Sequence, residues 1–279
     1  MSLELRCSRV QDLPRLRELW QLAFGDSQEY MDHFFTGYYT PQRVLVLEQD
    51  GVVQAMTAWF DMPLMGAEGT QWPAAYLYAV ATHPEARGRG YAGRLLAFAG
   101  EWLKERGFAC LTTVPARPDL HVFFGANGFE ENFVLARQDV EAGEGRAELK
   151  PVDGTEYGRV RERFLSGGAH VAYSGDALTY QEGVCRLSGG GLYAVEGGGC
   201  ACVERGEDGL VVIKELLCEP VQRHSALAAL TAAHPGERYE VRSPWPGEGE
   251  RVAFGMIRWL DGVPEGWDGQ NAYLGMAFD

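Results

Sequence analysis

The sequence predicts an α/β protein whose mixed, mostly antiparallel sheet is flanked by helices, with a second, smaller α/β domain after it. Three observations predict this. Residues 75–107 are typical of a strand, a glycine-rich turn and a helix in succession. Before them, a strand, two helices and an antiparallel hairpin are predicted, which is not the order of a doubly wound parallel sheet. After them, strands, a helix and further strands repeat the outline of the first half.

The elements of the first half follow from hydrophobic periodicity and from turn residues. Asp12 and Ser27 are the predicted N-caps of two helices, and Gln49-Asp50-Gly51 is typical of a hairpin turn. In order, the prediction is a strand at Leu3–Cys7, helices after Asp12 and Ser27, strands at Arg43–Glu48, Val52–Phe60 and Ala75–Thr82, a helix that ends before Gly107, a strand at Phe108–Thr113, a helix at Leu120–Ala126 and a strand at 129–140.

The second half carries weaker patterns. A polar stretch at Glu141–Glu148 is the predicted linker, which places the domains at residues 1–142 and 150–279. The segment Glu219-Pro220-Val221 precedes the later helix without glycines or an arginine pair, so this half is not expected to bind a phosphate-bearing cofactor. Its predicted elements are a helix at Tyr157–Leu165, strands at Gly191–Val195, Cys200–Glu204 and Leu210–Leu217, a helix at Gln222–Ala233, and strands at Arg238–Val241, Val252–Leu260 and Tyr273–Phe278.

The segment after the strand Ala75–Thr82 predicts a pyrophosphate-binding turn. His83-Pro84 ends the strand, and Arg87-Gly88-Arg89-Gly90-Tyr91-Ala92-Gly93 leads directly into the helix. The first amides of a helix lack intrahelical partners and carry the positive end of its dipole, so they attract phosphate oxygens. Glycines let the backbone approach a ligand closely, and Arg87, Arg89 and Arg94 add positive charge.

Two kinds of protein use such a turn. Gly88, Gly90 and Gly93 spell G-x-G-x-x-G, the dinucleotide-binding pattern, which would indicate a nicotinamide-dependent oxidoreductase. That function also requires an acidic residue at the end of the next strand to bind a ribose, but Thr112-Thr113-Val114 stands there.

The same residues resemble motif A of the GNAT acetyltransferases, in which Arg or Gln is followed after two residues by Gly and, after one more, by Gly or Ala. Arg87, Gly90 and Ala92 occupy those positions. A V-x-x-H-P-E-x-R lead-in precedes them, and Asn127-Gly128-Phe129 follows where the family ends its motif B helix with a G-F pair. The resemblance covers the first half of the chain and implies the GNAT fold, with a degenerate second GNAT-like unit in the remainder.

The resemblance implies acetyl-CoA as acetyl donor. Main-chain groups of Val80, Ala81 and Thr82 are then expected to pair with the pantetheine amides, as an added strand would. The diphosphate is expected to lie against the turn and the start of the helix, at Arg87, Gly88, Arg89, Gly90, Tyr91, Ala92 and Gly93.

The resemblance also implies attack of an amine on the thioester, with coenzyme A as the leaving group. The usual tyrosine acid of the family falls on Phe124, which cannot donate a proton. Tyr78 or His121 is the expected replacement, and the terminal Asp279 is a candidate base by analogy with multidomain GNAT enzymes of the enhanced-intracellular-survival type.

Two readings of the missing tyrosine stay open. The chain is either a working acetyltransferase, in which another residue supplies the proton or the thiolate leaves without a side-chain acid, or a protein that binds acyl-CoA without turning it over. The helical pair after Asp12 and Ser27 lines the acceptor site in this family, so Tyr30, His33 and Tyr38 are candidate substrate contacts.

Composition limits the partners. The net charge of −14 disfavours nucleic acid and anionic membranes, and a small-molecule or peptide amine suits an acidic protein better. Neither a secretory leader nor a membrane-spanning apolar run is found, which predicts a cytoplasmic protein with reduced cysteines. Cys200 and Cys202 share one face of a predicted strand, but buried thiols explain them better than a metal site, and no metal is predicted.

Overall fold

A computed structural model of the chain describes residues 2–143 and 149–278, so most of the predicted linker and Asp279 lie outside the described residues. The helices are α1 Leu13–Phe24, α2 Gln28–Gly37, α3 Tyr91–Lys104, α4 Pro118–Ala126, α5 Gly154–Leu165, α6 Gly175–Leu187 and α7 Arg223–Ala233. The strands are β1 Leu3–Cys7, β2 Val44–Gln49, β3 Val52–Asp61, β4 Leu64–Met65, β5 Gln71–Trp72, β6 Ala74–Thr82, β7 Cys110–Thr113, β8 Glu130–Val140, β9 Lys150–Pro151, β10 His170–Val171, β11 Gly191–Val195, β12 Gly199–Arg205, β13 Leu210–Leu217, β14 Arg238–Pro244 and β15 Glu250–Trp259.

The chain divides into two compact units that do not follow the sequence in a simple order. Unit 1 consists of Met1–Pro63, Trp72–Glu130 and Met256–Pro264, and unit 2 consists of Leu64–Gln71, Glu131–Gly255 and Glu265–Asp279. This division differs from the predicted domains 1–142 and 150–279, because a late strand belongs to the first unit and most of β8 belongs to the second. No periodicity in the sequence indicates which sheet a strand joins.

The sheet of unit 1 runs in the order β1, β2, β3, β6, β7 and the end of β15. Neighbours are antiparallel except β6 and β7, which are parallel, and Met256–Trp259 of β15 closes the edge against β7. The helix α3 connects the two parallel strands, as a crossover must. The predicted hairpin turn is confirmed, with positive φ at both Asp50 and Gly51.

The sheet of unit 2 has the same pattern. Its order is β9, β11, β12, β13, β14 and β8, and again one pair, β13 and β14, is parallel and connected by a helix, α7. Two helices, α5 and α6, follow its first strand, just as α1 and α2 follow β1 in unit 1. The predicted second GNAT-like unit is therefore confirmed.

The core of unit 1 is apolar and rich in aromatic rings. Leu77, Leu96, Leu111 and Phe124 form one buried cluster between the sheet and the helices. Ser27 caps α2 as predicted, because its hydroxyl accepts from the amide of Tyr30 at 3.1 Å. Burial of this apolar surface supplies most of the stabilisation of the unit.

One helix of unit 2 was not predicted from the sequence, and one predicted strand was wrong. Residues 175–187, given no element from the sequence, form α6, capped by Ser174. The tail, predicted as a strand at Tyr273–Phe278, forms only an isolated bridge between His170 and Tyr273 and otherwise runs as buried irregular backbone. Among the residues described, no helix is both long and apolar enough to cross a bilayer.

Candidate functional site

The parallel strands of unit 1 diverge partway along their length. Strand β7 pairs with β6 only over Ala74–Tyr76, while β6 continues to Thr82. At the point of divergence the Thr113 hydroxyl donates to the Leu77 carbonyl at 3.2 Å. Beyond it, β7 no longer covers the edge of β6. An extended ligand can therefore add to this edge as a strand does.

A β-bulge lies just past this point. Tyr78 pairs with Ala58 and Ala81 with Met56, so β6 carries one extra residue opposite Thr57. Ala79 adopts a φ of +52°, a left-handed conformation that is costly for a residue with a Cβ. The Thr57 hydroxyl donates to the Tyr78 carbonyl at 3.2 Å and supports the bulge. Bulges redirect backbone groups and are frequent beside binding sites.

Sequence reasoning missed the roles of these two threonines. Threonine is common in strands for its branched shape, so no sequence signal separates Thr57 or Thr113 from an ordinary strand residue. The predicted positions Val80 and Thr82 are half-buried, and Ala81 is buried, along the same part of β6.

The glycine turn is open. Gly88 and Gly90 both have φ of +76°, and a Cβ built on either would meet no atom within 4 Å. Residues 87–90 are all exposed. Gly90 is the N-cap of α3, and no side chain caps the helix. The first amides of α3 are therefore available to an anion, as the sequence predicts.

Gly93 has a different role from the other two glycines. A Cβ built at Gly93 would lie 2.8 Å from the Asn127 side-chain oxygen. The Asn127 amide donates to the Phe123 carbonyl at 2.8 Å, which fixes that side chain at the end of α4. The structure thus brings together the two sequence motifs, Gly93 in the turn motif and Asn127 in the N-G-F motif.

Three arginines surround the turn. The Arg87 side chain donates to the Thr82 carbonyl at 3.3 Å, which holds the turn against the end of β6. Arg89 and Arg94 are exposed and form no ion pair with any residue in the described ranges. The Tyr91 side chain is buried and its hydroxyl donates to Gln49 at 2.6 Å, so only its main chain can serve the turn.

Tyr78 lies on β6 immediately before the bulge. Its hydroxyl is 2.9 Å from the Tyr30 hydroxyl, so two of the predicted site residues are in direct contact. The rings of Trp20, Phe34 and Phe60 pack around Tyr78 at centroid distances of 5.4 to 6.0 Å. The half-buried hydroxyl pair therefore sits at the edge of an aromatic core.

Of the other predicted catalytic and acceptor residues, Tyr38 belongs to the aromatic cluster around Tyr78, because both rings pack against Phe34 and Phe60. His33 on α2 and His121 on α4 are half-buried. The Tyr38 ring stacks on Phe60 at 3.8 Å. Phe124 is only 4% exposed and belongs to the core of unit 1, so the position of the usual family acid serves packing here.

The last residues before Asp279 are fixed in unit 2. The fully buried Arg161 guanidinium lies 3.0 Å from the Glu215 carboxylate and donates to the Leu274 carbonyl at 3.1 Å. Burial lowers the pKa of Arg161, but Glu215 together with smaller contributions from neighbours such as Glu162 outweighs burial, so that pKa is raised. The Lys214 ammonium donates to the Ala277 carbonyl at 3.1 Å. Asp279 itself lies outside the described residues.

Two cysteines of unit 2 are in contact, Cys185 and Cys202, rather than Cys200 and Cys202, which share a strand face in the sequence analysis. The Cys185 and Cys202 sulfurs are 3.4 Å apart, and the Glu204 carboxylate lies within the same small cluster. Burial, Cys185 and Glu204 raise the pKa of Cys202 well above its ordinary value. Lys214 already pairs with Glu204 at 3.1 Å, which disfavours a cation beside it. The cluster is best described as a hydrogen-bonded polar part of the core.

Comparisons with known proteins agree with this geometry. Residues 4–129 match the family model for the acetyltransferase (GNAT) domain. No curated protein sequence matches the chain. A GCN5-related N-acetyltransferase from Kribbella flavida superposes with a TM-score of 0.72 at 16% identity, over 93% of this chain and 71% of that one.

Two further structures share the fold. A conserved protein of unknown function from Enterococcus faecalis, described as a probable N-acyltransferase, has a TM-score of 0.71 at 16% identity, covering 94% of this chain and 73% of that one. A tandem GNAT protein from the clavulanic acid biosynthesis pathway has a TM-score of 0.57 at 14% identity, covering 94% and 100%. Residues 4–129 therefore match an acetyltransferase (GNAT) domain, and nearly the whole chain shares the fold of two-unit GNAT proteins.

Proposed function

We propose that this protein is an N-acetyltransferase that moves the acetyl group of acetyl-CoA to a primary amine of a small molecule or peptide while both substrates are bound. The observation that carries the proposal is the combination of two features at one end of β6. The strand edge that β7 leaves uncovered suits pantetheine, and the open turn before α3 suits a diphosphate.

The donor-binding residues follow from these two features. The main chain of Val80, Ala81 and Thr82 offers hydrogen bonds to the pantetheine amides. The amides of residues 88–93 bind the diphosphate, with charge from Arg87, Arg89 and Arg94 at the rim. Gly88 and Gly90 support this assignment, because their positive φ angles and the open space around them leave room for phosphate oxygens.

The reaction is a direct acyl transfer. The amine nitrogen attacks the thioester carbon, and collapse of the tetrahedral intermediate breaks the carbon–sulfur bond. The amine loses one proton and the thiolate gains one, so the products are an N-acetylamine and coenzyme A thiol. The Val80 amide, beside the bulge, polarises the carbonyl, which is the kind of preorganised donor that acyl transfer requires.

Tyr78 is our first choice of acid for the thiolate. Its hydroxyl contacts that of Tyr30, and such a pair can pass a proton along its hydrogen bond. His121 is the second candidate acid. Asp279 is the candidate base by analogy with multidomain GNAT enzymes, and its position lies outside the described residues.

A protein that binds acyl-CoA without transfer is the second candidate function. The burial of Phe124 favours it, because the position that provides the acid in related enzymes is part of the core here. A thiolate is a modest base compared with an alkoxide, so transfer without a side-chain acid also remains compatible with the site.

Calorimetric titration tests the donor. Acetyl-CoA and NAD are titrated in parallel into the full-length protein, and we expect heat of binding from acetyl-CoA only. Binding of NAD alone would contradict the proposal and would favour the oxidoreductase that the glycine spacing also permits.

Thiol release tests catalysis. Free coenzyme A is followed with polyamines, aminoglycosides and peptide amines as acceptors, and we expect turnover with at least one class. Tyr78→Phe is expected to lower kcat by about 100-fold, whereas Tyr193→Phe in unit 2 serves as the matched control and keeps the wild-type rate. Acetyl-CoA binding without turnover by any amine would favour the second candidate function.

A further inference from the structure

The parallel strands of unit 2 also diverge, and a pocket lies where they do. Strands β13 and β14 pair only from Leu210–Arg238 to Ile213–Val241, although both continue further. The pocket is lined by the ends of these strands, by residues before and at the start of α7, and by the loop after β14. All of its lining residues belong to unit 2.

Most of the pocket wall is apolar. Leu216 and Leu217 line it from β13, Pro244 and Pro246 from the end of β14 and the loop after it, and Phe164 from α5. Such a wall favours an aliphatic group over water by about 25 cal/mol for each Å² of apolar surface removed from solvent. A small aliphatic ligand is therefore the natural occupant.

Two polar atoms in the pocket residues lack hydrogen-bond partners among the described residues. Ser243 is 6% exposed, and its hydroxyl oxygen is buried without a partner. The Arg223 Nε is also buried and forms no hydrogen bond, although it lies 3.4 Å from the Glu248 carboxylate, and a terminal nitrogen of the same guanidinium donates to Gln138 at 2.9 Å. A buried polar atom without a partner is destabilising, so a ligand oxygen that hydrogen-bonds to either group is favoured over an apolar atom at that position.

The charge of the site favours an anionic head group. Arg223 lies at the start of α7, whose N-terminus has no side-chain cap. Its nearest carboxylate, Glu248, is 3.4 Å away, but the Glu248 side chain is 65% exposed and can turn into solvent. Burial raises the pKa of the Cys218 thiol, which keeps this neighbour uncharged beside an anion.

We propose that this pocket of unit 2 binds a short-chain aliphatic carboxylate, with the carboxylate on Arg223 and Ser243 and the hydrocarbon against the leucine and proline wall. Guanidinium and carboxylate match in geometry as well as charge. A larger coenzyme is not expected, because Glu219-Pro220-Val221 replaces the glycine turn that a diphosphate needs. The site is independent of the proposed acetyl transfer.

The first test compares three four-carbon probes that differ only in the charge and chemistry of the head group. Butyrate, butyramide and butylamine are added to the full-length protein, and binding is measured by saturation-transfer NMR and by titration. We expect butyrate to bind at least about tenfold more tightly than either neutral or cationic analogue. Equal binding of butyramide, or no binding of butyrate, would overturn the proposal.

The wild-type protein provides a second test that needs no folding control. Cys218 lines the pocket, and Cys7 in unit 1 is exposed to a similar, intermediate degree. Butyrate is expected to lower the rate at which iodoacetamide alkylates Cys218 in proportion to the fraction of protein that is free of butyrate. The alkylation rate of Cys7 is expected to stay unchanged. Equal alkylation of Cys218 with and without saturating butyrate would count against the site.

Substitutions then locate the carboxylate. Arg223→Gln is expected to weaken butyrate binding at least about tenfold, and Ser243→Ala about three- to tenfold. Arg137→Gln is the matched control, because Arg137 belongs to the same unit but pairs with Glu250 on the surface. Wild-type affinity in Arg223→Gln would exclude the proposed mode of binding.

Discussion

The two parallel strand pairs of this protein, β6–β7 in unit 1 and β13–β14 in unit 2, have the same topology and different chemistry. In both, the first strand carries a bulge just past the last parallel pair, at Ala79 in β6 and at Lys214 in β13. In both, a helix then leads to the second strand. The segment that precedes this helix is glycine-rich and arginine-rich in unit 1, and Glu219-Pro220-Val221 in unit 2. The two clefts are therefore expected to bind different ligands, because the short segments before α3 and α7 differ.

The bulge residues show the same contrast. Ala79 is a small residue in a left-handed conformation beside the uncovered strand edge. Lys214 is 2% exposed, and its ammonium pairs with Glu204 and with the Ala277 carbonyl. Unit 2 thus uses its bulge residue to bind its own tail, whereas in unit 1 we propose that the corresponding backbone binds a ligand.

The largest expected effect concerns stability and lies in unit 2. Glu215→Ala removes the only fully buried carboxylate that pairs with Arg161 among the described residues, leaves it the 40% exposed Glu162 at 3.2 Å, and removes the acceptor of the Tyr157 hydroxyl at 2.7 Å. We expect the free energy of unfolding to fall by about 3 to 5 kcal/mol, measured by urea denaturation.

Asp119→Ala in unit 1 is the control for that measurement. It breaks an ion pair with Arg117 in which both side chains are about two-thirds exposed, 68% and 66%. Solvent screens such an exposed pair, so its loss is expected to change the free energy of unfolding much less than the loss of the buried pair. Equal losses in the two variants would mean that the buried pair of unit 2 has no special role in stability.

The second effect concerns binding in unit 1. Gly90→Val places a β-branched residue at a φ of +76° at the start of α3, in the space that the proposed diphosphate requires. We expect acetyl-CoA affinity to fall about 100-fold, which corresponds to about 2.7 kcal/mol. Calorimetry measures it, with circular dichroism as the check on folding.

Val221→Ala is the matched change in unit 2. Val221 is 89% exposed and precedes α7, in the segment that corresponds to the glycine turn. It is expected to leave acetyl-CoA affinity unchanged. A similar loss in both variants would mean that the two segments do not differ in function.

A smaller effect is expected from the rim charges of unit 1. Arg89→Gln or Arg94→Gln is expected to weaken acetyl-CoA binding about three- to tenfold and to lower its dependence on salt, because exposed charges are screened. Arg159→Gln on α5, which removes an exposed pair with Glu156, is the control. If acetyl-CoA affinity and its salt dependence were unaltered in both rim variants, main-chain groups alone would bind the donor.

The smallest effect concerns pH. Burial raises the pKa of Asp12, but hydrogen bonds from Arg6 and the Arg9 amide outweigh it, so that pKa lies below its ordinary value of 3.8. The ionised carboxylate therefore stabilises the fold above about pH 3.8, and this contribution disappears as the pH falls through the folded-state pKa. Asp12→Asn is expected to flatten the acid part of the stability curve, measured by urea unfolding at about pH 5 to 2. An unchanged slope would contradict it.

Local rules predicted much of the fold and of the donor site. Asp50-Gly51 and Gly107 act through their own backbone conformation and Ser27 through a hydrogen bond to a nearby amide, so their roles can be inferred from a few neighbouring residues. The same holds for Gly88 and Gly90, whose positive φ angles belong to the turn itself. Gly93 differs, because its partner Asn127 lies in another motif.

Long-range partners could not be predicted. Asp12 was expected to cap α1, but its carboxylate binds Arg6 and the Arg9 amide instead, which depends on how β1 meets the helix. The tail was expected to be a strand because it is apolar, but only its first carbonyl groups accept from strand amides, and the Leu274 carbonyl accepts from the buried Arg161 instead.

The origin of the last strand of unit 1 has a consequence for biosynthesis. Every other strand of that sheet has been translated once Thr113 leaves the ribosome, but its final partner, Met256–Trp259, is made near the end of the chain. Until then the edge of β7 exposes unpaired amides and carbonyls, which invites pairing with other nascent chains. Unit 1 is thus begun first, but its sheet is completed only after most of unit 2 has been synthesised.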